Sequence, residues 1–113
     1  MALINPTKIW IRRNDVVAYE WVMEEGDTAI AVEVPNKSDK TVQVSGTFGS
    51  ATITVQGSVD PSGAVFNDLR DPQGNTISIT SADIVTVLEN VAFIQPIITG
   101  GSSSSVTIRI YMR

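Results

Sequence analysis

Between residues 58 and 75 the chain reads SVDPSGAVFNDLRDPQGN, which gathers Asp60, Asp68, Asp71 and Asn75 into one short stretch. Side-chain and backbone oxygens of this kind could cradle Ca²⁺. The spacing, however, matches no EF-hand loop. Asp60 and Asp71 each head an Asp-Pro-x-Gly tetrad, at 60–63 and 71–74. Asp at i, Pro at i+1 and Gly at i+3 are the residues a type I turn prefers. Proline presets φ, and the aspartate carboxylate can bond the backbone ahead of it. The cluster therefore reads as turn chemistry, and no metal ligand is assigned.

A second acidic group, Glu20, Glu24, Glu25 and Asp27, surrounds MEEGD (23–27). Two carboxylates can act as acid and base in glycoside hydrolysis. That chemistry wants an aromatic-rich cleft and further polar groups, and the sequence offers neither. This group reads as a solvated loop leading into a strand at 29–34. GTFG (46–49) and TGGS (99–102) are glycine-bearing, but a phosphate loop must pass from a strand into a helix. They suit turns and bulges instead. The chain has no histidine and no cysteine, which removes the commonest general base, the thiolate nucleophile and the usual zinc ligands. No catalytic and no cofactor-binding residue is assigned, and the chain reads as a non-enzyme.

What remains is a binding surface. Residues 1–15 sum to +2, residues 106–113 to +2 and the stretch between to −8, within a total of −4. An acidic body argues against nucleic acid, because phosphate neutralisation supplies most non-specific affinity. The basic ends hold Lys8, Trp10, Arg12 and Arg13 on one side and Arg109, Tyr111 and Arg113 on the other. Trp, Tyr and Arg dominate binding hot spots, and chain ends often lie close together. These seven residues are the candidate partner interface, expected to form one positive patch with Trp10 inside it.

The elements that must position them are strands. Apolar and polar residues alternate in TVQVSGTF (41–48), ATITVQGS (51–58), NTISIT (75–80), AIAVEV (29–34) and SSVTIRIYMR (104–113). Period-2 alternation marks half-buried strands. VVAYEWVM (16–23) alternates too, with Val17, Tyr19, Trp21 and Met23 inward and a second face apolar enough to meet a neighbour. VAFIQPII (91–98) carries Pro96, which predicts an edge strand or a bulge. The two Asp-Pro turns bracket AVFNDLR (64–70) as one strand. TSADIVTVLEN (80–90) predicts at most a short helical turn, with Ser81 as its cap. TGGSSSSV (99–106) reads as a flexible loop. The whole is a single all-β domain, 1–113, a β-sandwich of jelly-roll type, with 1–15 as an extended arm or edge strand.

The N-terminus lacks the apolar core and cleavage site of a signal peptide, and no run approaches a membrane span. The chain is expected to be made and kept in the cytoplasm until it assembles, with no membrane partner.

Residues 40–110 carry a further pattern. It comprises Gly-Thr-Phe-Gly (46–49), the Ala-Thr-Ile-Thr-Val strand, Gly57-Ser58-x-Asp60, Asp-x-x-Gly-Asn (71–75) and the close Pro-Ile-Ile-Thr-Gly-Gly (96–101). It resembles the small capsid decoration proteins, also called cement or staple proteins, of short-tailed bacteriophages. Where that family often carries arginine before the proline, this chain has Gln95. The resemblance implies a jelly roll on the outside of the virion, gripping the major capsid protein and stabilising contacts between capsomers. The two-sided apolar character of 16–23, with edges still to cover besides the proline-bearing strand, predicts a homo-oligomer, a dimer favoured over a trimer. The alternative, from another class, is a sugar- or host-surface-binding sandwich of a tail or baseplate.

Overall fold

The computed structural model describes residues 2–11, 16–34 and 37–113, with the side chains of Trp10 and Ile11 outside that description. In chain order the strands are β1 (Leu3–Ile4), β2 (Thr7–Ile11), β3 (Val17–Glu24), β4 (Thr28–Ala29), β5 (Val32–Glu33) and β6 (Lys40–Thr47). Then follow β7 (Thr52–Ser58), β8 (Asn67–Asp68), β9 (Asp83–Val87), β10 (Phe93–Thr99) and β11 (Ser105–Met112). There is no helix among the described residues. Two sheets face each other, one ordered β2-β3-β11-β6-β9 and the other β5-β10-β7-β8, with a small parallel pair β1-β4 beside them.

Alternation explains why the sheets stack. From β3 it turns Trp21 and Met23 inward, from β6 Val42 and Val44, and from β11 Val106, Ile108, Ile110 and Met112. The opposing sheet supplies Ile53, Val55, Ile94 and Ile98, and all of these join one buried cluster. Each fully buried Val, Ile or Met side chain is worth about 1.5–3 kcal/mol, so this layer holds the sandwich together. The indole of Trp21 lies within it and donates to the Ile30 carbonyl at 3.0 Å.

Both expected turns form. Gly63 N–H and Gly74 N–H donate to the carbonyls of Asp60 and Asp71, each at 2.9 Å. The segment between them is not one strand, because only Asn67–Asp68 pairs with β7. The Asp60 carboxylate accepts the N–H groups of Ala64 and Val65, both at 3.2 Å, and takes donors that a ladder would need.

Three other expectations are corrected. Residues 83–87 are a strand, β9, in register with β6 from Lys40↔Val87 to Val44↔Asp83. The 29–34 strand is split, since Ile30 N–H donates to Ile4 O while Val32 and Glu33 pair with β10. The stretch 75–80 turns Ile77 and Ile79 inward as expected but pairs through isolated bridges, Arg70↔Thr76 and Ile53↔Ile79. Pro96 sits in β10 beyond the end of β5, whose pairing stops opposite Ile94. On that side β10 is an edge, as the proline requires.

Candidate binding face

The interior leaves little chemistry to exploit. Its only inward-turned charged group among the described residues is Lys40, 1% exposed. Its ammonium donates to the carbonyls of Lys37 and Ser38 at 3.3 and 3.4 Å. Burial holds its pKa below the usual lysine range, against the pull of Asp39 and Glu89. The large buried side chains clustered between the sheets are otherwise apolar. No group of three or more His, Cys, Asp or Glu placed to hold a metal occurs among the described residues.

The acidic residues singled out by sequence are spent on structure. Asp60 accepts from Ser62 N–H and from Ser62 Oγ besides Ala64 and Val65. Its pKa is lowered, first by the Ser62 hydroxyl and then by these backbone donors. Asp71 accepts from Gln73 N–H and Asn75 N–H, both at 3.0 Å. Asp68 accepts from the Gln56 amide. Asp27 closes the 24–27 turn by accepting Glu24 N–H at 2.8 Å.

Glu25 reaches across to the last loop. It accepts Ser103 N–H at 3.1 Å and Ser104 N–H at 2.6 Å, and its pKa is lowered by its own backbone N–H first and by Ser104 next. Ser104 Oγ donates to Phe48 O, and Ser102 N–H to Gly49 O. The stretch 99–106, expected to be a flexible loop, is therefore tied at several points, and its last two residues belong to β11.

The two outer faces differ. On the four-stranded sheet, Gln56 lies opposite Gln95, and a Gln95–Gln56–Asp68 chain of hydrogen bonds runs across it at 3.3 and 3.0 Å. Thr52 and Thr54 stand beside that chain on β7. On the five-stranded sheet an open groove of ≈ 210 Å³ runs across the strands. Ile9, Ala18, Ile84 and Tyr111 give it an apolar lining, with Thr41, Gln43 and Arg109 as its polar members. Ala18 makes the depression, since a small residue stands on β3 opposite Tyr111 of β11 and Trp10 of β2. Exposed Val22 extends the apolar surface along β3.

A register shift between Lys8 and Trp10 gives the N-terminal strand its part. A bulge re-aims side chains at a sheet edge. Ile9 lines the groove, whereas Lys8 pairs with Tyr19 and holds its ammonium 5.7 Å from that ring.

The expected interface is thus divided. Of its seven residues Arg109 and Tyr111 come together, joined by Ile9, which was not among them, with Trp10 at the register position opposite Ala18. Lys8 turns to the Tyr19 side. Arg109 Nε donates to Glu20 Oε2 at 2.7 Å, and Arg113 lies 3.6 Å from Asp39. Both of these arginines are paired with an acid of the same chain. Arg12 and Arg13 lie outside the described residues. Sequence reasoning missed Ile9, Ala18, Thr41, Gln43 and Ile84. The signal for Ile84 was the β-branched run 84–87, outweighed by the capping residues before it.

No protein-family model and no curated protein matches the chain. Solved structures do. A cupin domain from Bordetella pertussis is 18% identical and aligns over 97% of this chain and 93% of its own, with a TM-score of 0.53. The Cnp3 cupin domain of Schizosaccharomyces pombe is 9% identical over 95% of this chain and 59% of its own, TM-score 0.46. A cleaved adhesin domain of Lys-gingipain from Porphyromonas gingivalis is 10% identical over 87% and 64%, TM-score 0.40. The first shows the fold, a jelly-roll sandwich, and brings no residue roles with it. Jelly rolls serve capsid domains, lectins and cupins alike, so function has to be argued from the surface.

Proposed function

We propose that this chain is a non-enzymatic decoration protein of a phage head, seated on the outside of the shell. It grips the major capsid protein through the outer face of its five-stranded sheet. One observation carries the reading: the groove of Ile9, Ala18, Ile84 and Tyr111 gives that face an open depression with an apolar lining, beside which Arg109 is neutralised by Glu20. An open apolar depression on a broad sheet face suits a protein that lies flat on a partner. The resemblance over residues 40–110 to capsid decoration proteins supplies the partner. Such a protein stabilises a shell by mass action, because binding only the assembled state shifts the equilibrium toward it.

A sugar-binding role would want two or three exposed rings on one face. Among the described aromatic side chains Trp21 is buried and Tyr19, Phe48, Phe66, Phe93 and Tyr111 are half-buried, so no observation favours it.

The test is co-sedimentation with heads stripped of their decoration. The wild-type chain should pellet with them. Ile9→Asp combined with Tyr111→Ala should leave far-ultraviolet circular dichroism unchanged and keep the chain in the supernatant. Undiminished pelleting of the folded double variant would remove this face as the grip.

A further inference from the structure

The two sheets end in four outer strands, and three of them carry a device that discourages another chain from adding on. β5 and β8 are two residues long. β2 contains Lys8 and shifts its register between Lys8 and Trp10. Short edges, edge lysines and bulges are the means by which natural sheets avoid edge-to-edge pairing. β9 has none of these three, and its one charge is Asp83 at its first position. It runs DIVTV in unbroken register along β6, and its β-branched residues Ile84 to Val87 favour a fully paired sheet. Ile84 and the following Leu88 are 59% and 58% exposed. β6 is the one sheet neighbour of β9, and the Ile84 N–H is capped by the carboxylate of Asp83 at 2.8 Å, a bond that pairing with a further strand has to replace.

We propose that β9 is a self-association edge. Two copies pair their β9 strands antiparallel about a two-fold axis through Val85, joining two five-stranded sheets into one of ten. Parity restricts the register, because opposite residues share a face and an odd shift would turn one copy over. Centring on Val85 is the arrangement that pairs all five residues, 83 to 87. Ile84 then meets Thr86 of the second copy on the outer face, twice, and Val85 meets its own equivalent. Asp83 lies opposite Val87, so the two Asp83 carboxylates stand roughly 13 Å apart along the ladder, beyond the screening length at ordinary ionic strength. No like charges face each other. A second copy is also the occupant that closes: a two-fold pairing consumes both edges and leaves none to propagate. The groove, which reaches Ile84, continues across the axis into its equivalent. This inference does not rest on the shell reading, and a monomer would overturn it while leaving that reading untouched.

Sedimentation velocity on the full chain, with two variants, tests it. The wild type should sediment as a dimer. Thr86→Lys places two ammonium groups diagonally across the axis, where like charges repel, and should sediment as a folded monomer. The chain has no cysteine, so Val85→Cys introduces a unique thiol. Opposed residues in an antiparallel pair have Cα atoms about 4.5–5.5 Å apart, within the range a disulfide spans. Mild oxidation should therefore crosslink Val85→Cys to completion and leave a Ser45→Cys control largely uncrosslinked. A wild type that stays monomeric at every soluble concentration overturns the proposal. So does a Thr86→Lys variant that remains dimeric, or a Val85→Cys variant that crosslinks no better than the control. If Thr86→Lys fails to fold, the crosslinking comparison decides alone.

Discussion

Glu25 is an exposed residue, yet it fixes the geometry of a loop far away in sequence. Its carboxylate accepts two successive N–H groups, of Ser103 and Ser104, the kind of backbone concavity that holds anions. A carboxylate whose pKa is lower in the fold than in the unfolded chain adds stability above the unfolded value. That stability is lost as pH falls through the folded one. The ordinary value is 4.5 and the fold lowers it, so the tie holds at neutral pH and fails in the acid range below 4.5. We expect Glu25→Ala to speed amide exchange at Ser103 and Ser104 at pH 7, with the two proteins converging once the carboxyl is protonated. Heteronuclear NMR at several pH values measures this. Lys40 has the opposite character. Burial lowers its pKa from 10.5, so the charged form costs stability at neutral pH, and the cost is relieved as pH rises from the lowered value toward 10.5. Lys40→Met should stabilise the protein at pH 7 by about 1 kcal/mol, as replacing buried charge by apolar volume often does. The advantage should shrink in alkaline melts.

At the scale of elements, two glycines separate backbone freedom from packing. Gly74 closes the second Asp-Pro turn with φ 89° and open space where a Cβ would go. Gly74→Ala should cost only the left-handed penalty, about 1–2 kcal/mol. Gly46 has φ 117°, and a Cβ there would run into the Ser105 carbonyl of β11. Gly46→Ala should cost about 3 kcal/mol or more, since strain and overpacking add. Urea titrations of the two variants check the ranking. Much of this architecture was legible from alternation, because the inward residues of β3, β6, β7 and β11 follow period 2 without exception at their centres. The failures have local causes. Ser81 and Asp83 look like helix-capping chemistry, yet Asp83 bonds its neighbour at the start of a strand. The 64–70 segment has the length of a strand, but the turn aspartate before it captures two of its donors. Of the binding face, Arg109 and Tyr111 could be read from the last strand. Ala18, Thr41, Gln43 and Ile84 could not, because their convergence depends on β9 pairing with β6 across about forty residues of chain.

The whole molecule is a small sandwich, 37 × 28 × 27 Å, whose two sheets bury one apolar cluster between them. That core fixes the sheets, the sheets fix the groove, and the groove together with the free β9 edge leaves one side of the molecule suited to contact. If that side grips a shell, the protein must lie with its five-stranded sheet inward and the Gln56–Gln95 surface outward. Electron cryo-microscopy of intact heads tests this most directly, by docking the sandwich into density outside the capsid protein. We expect density for the chain on the shell, with Ile9, Tyr111 and Val22 turned toward the capsid protein. Heads that are bare, or coated with the four-stranded sheet facing inward, would contradict the account.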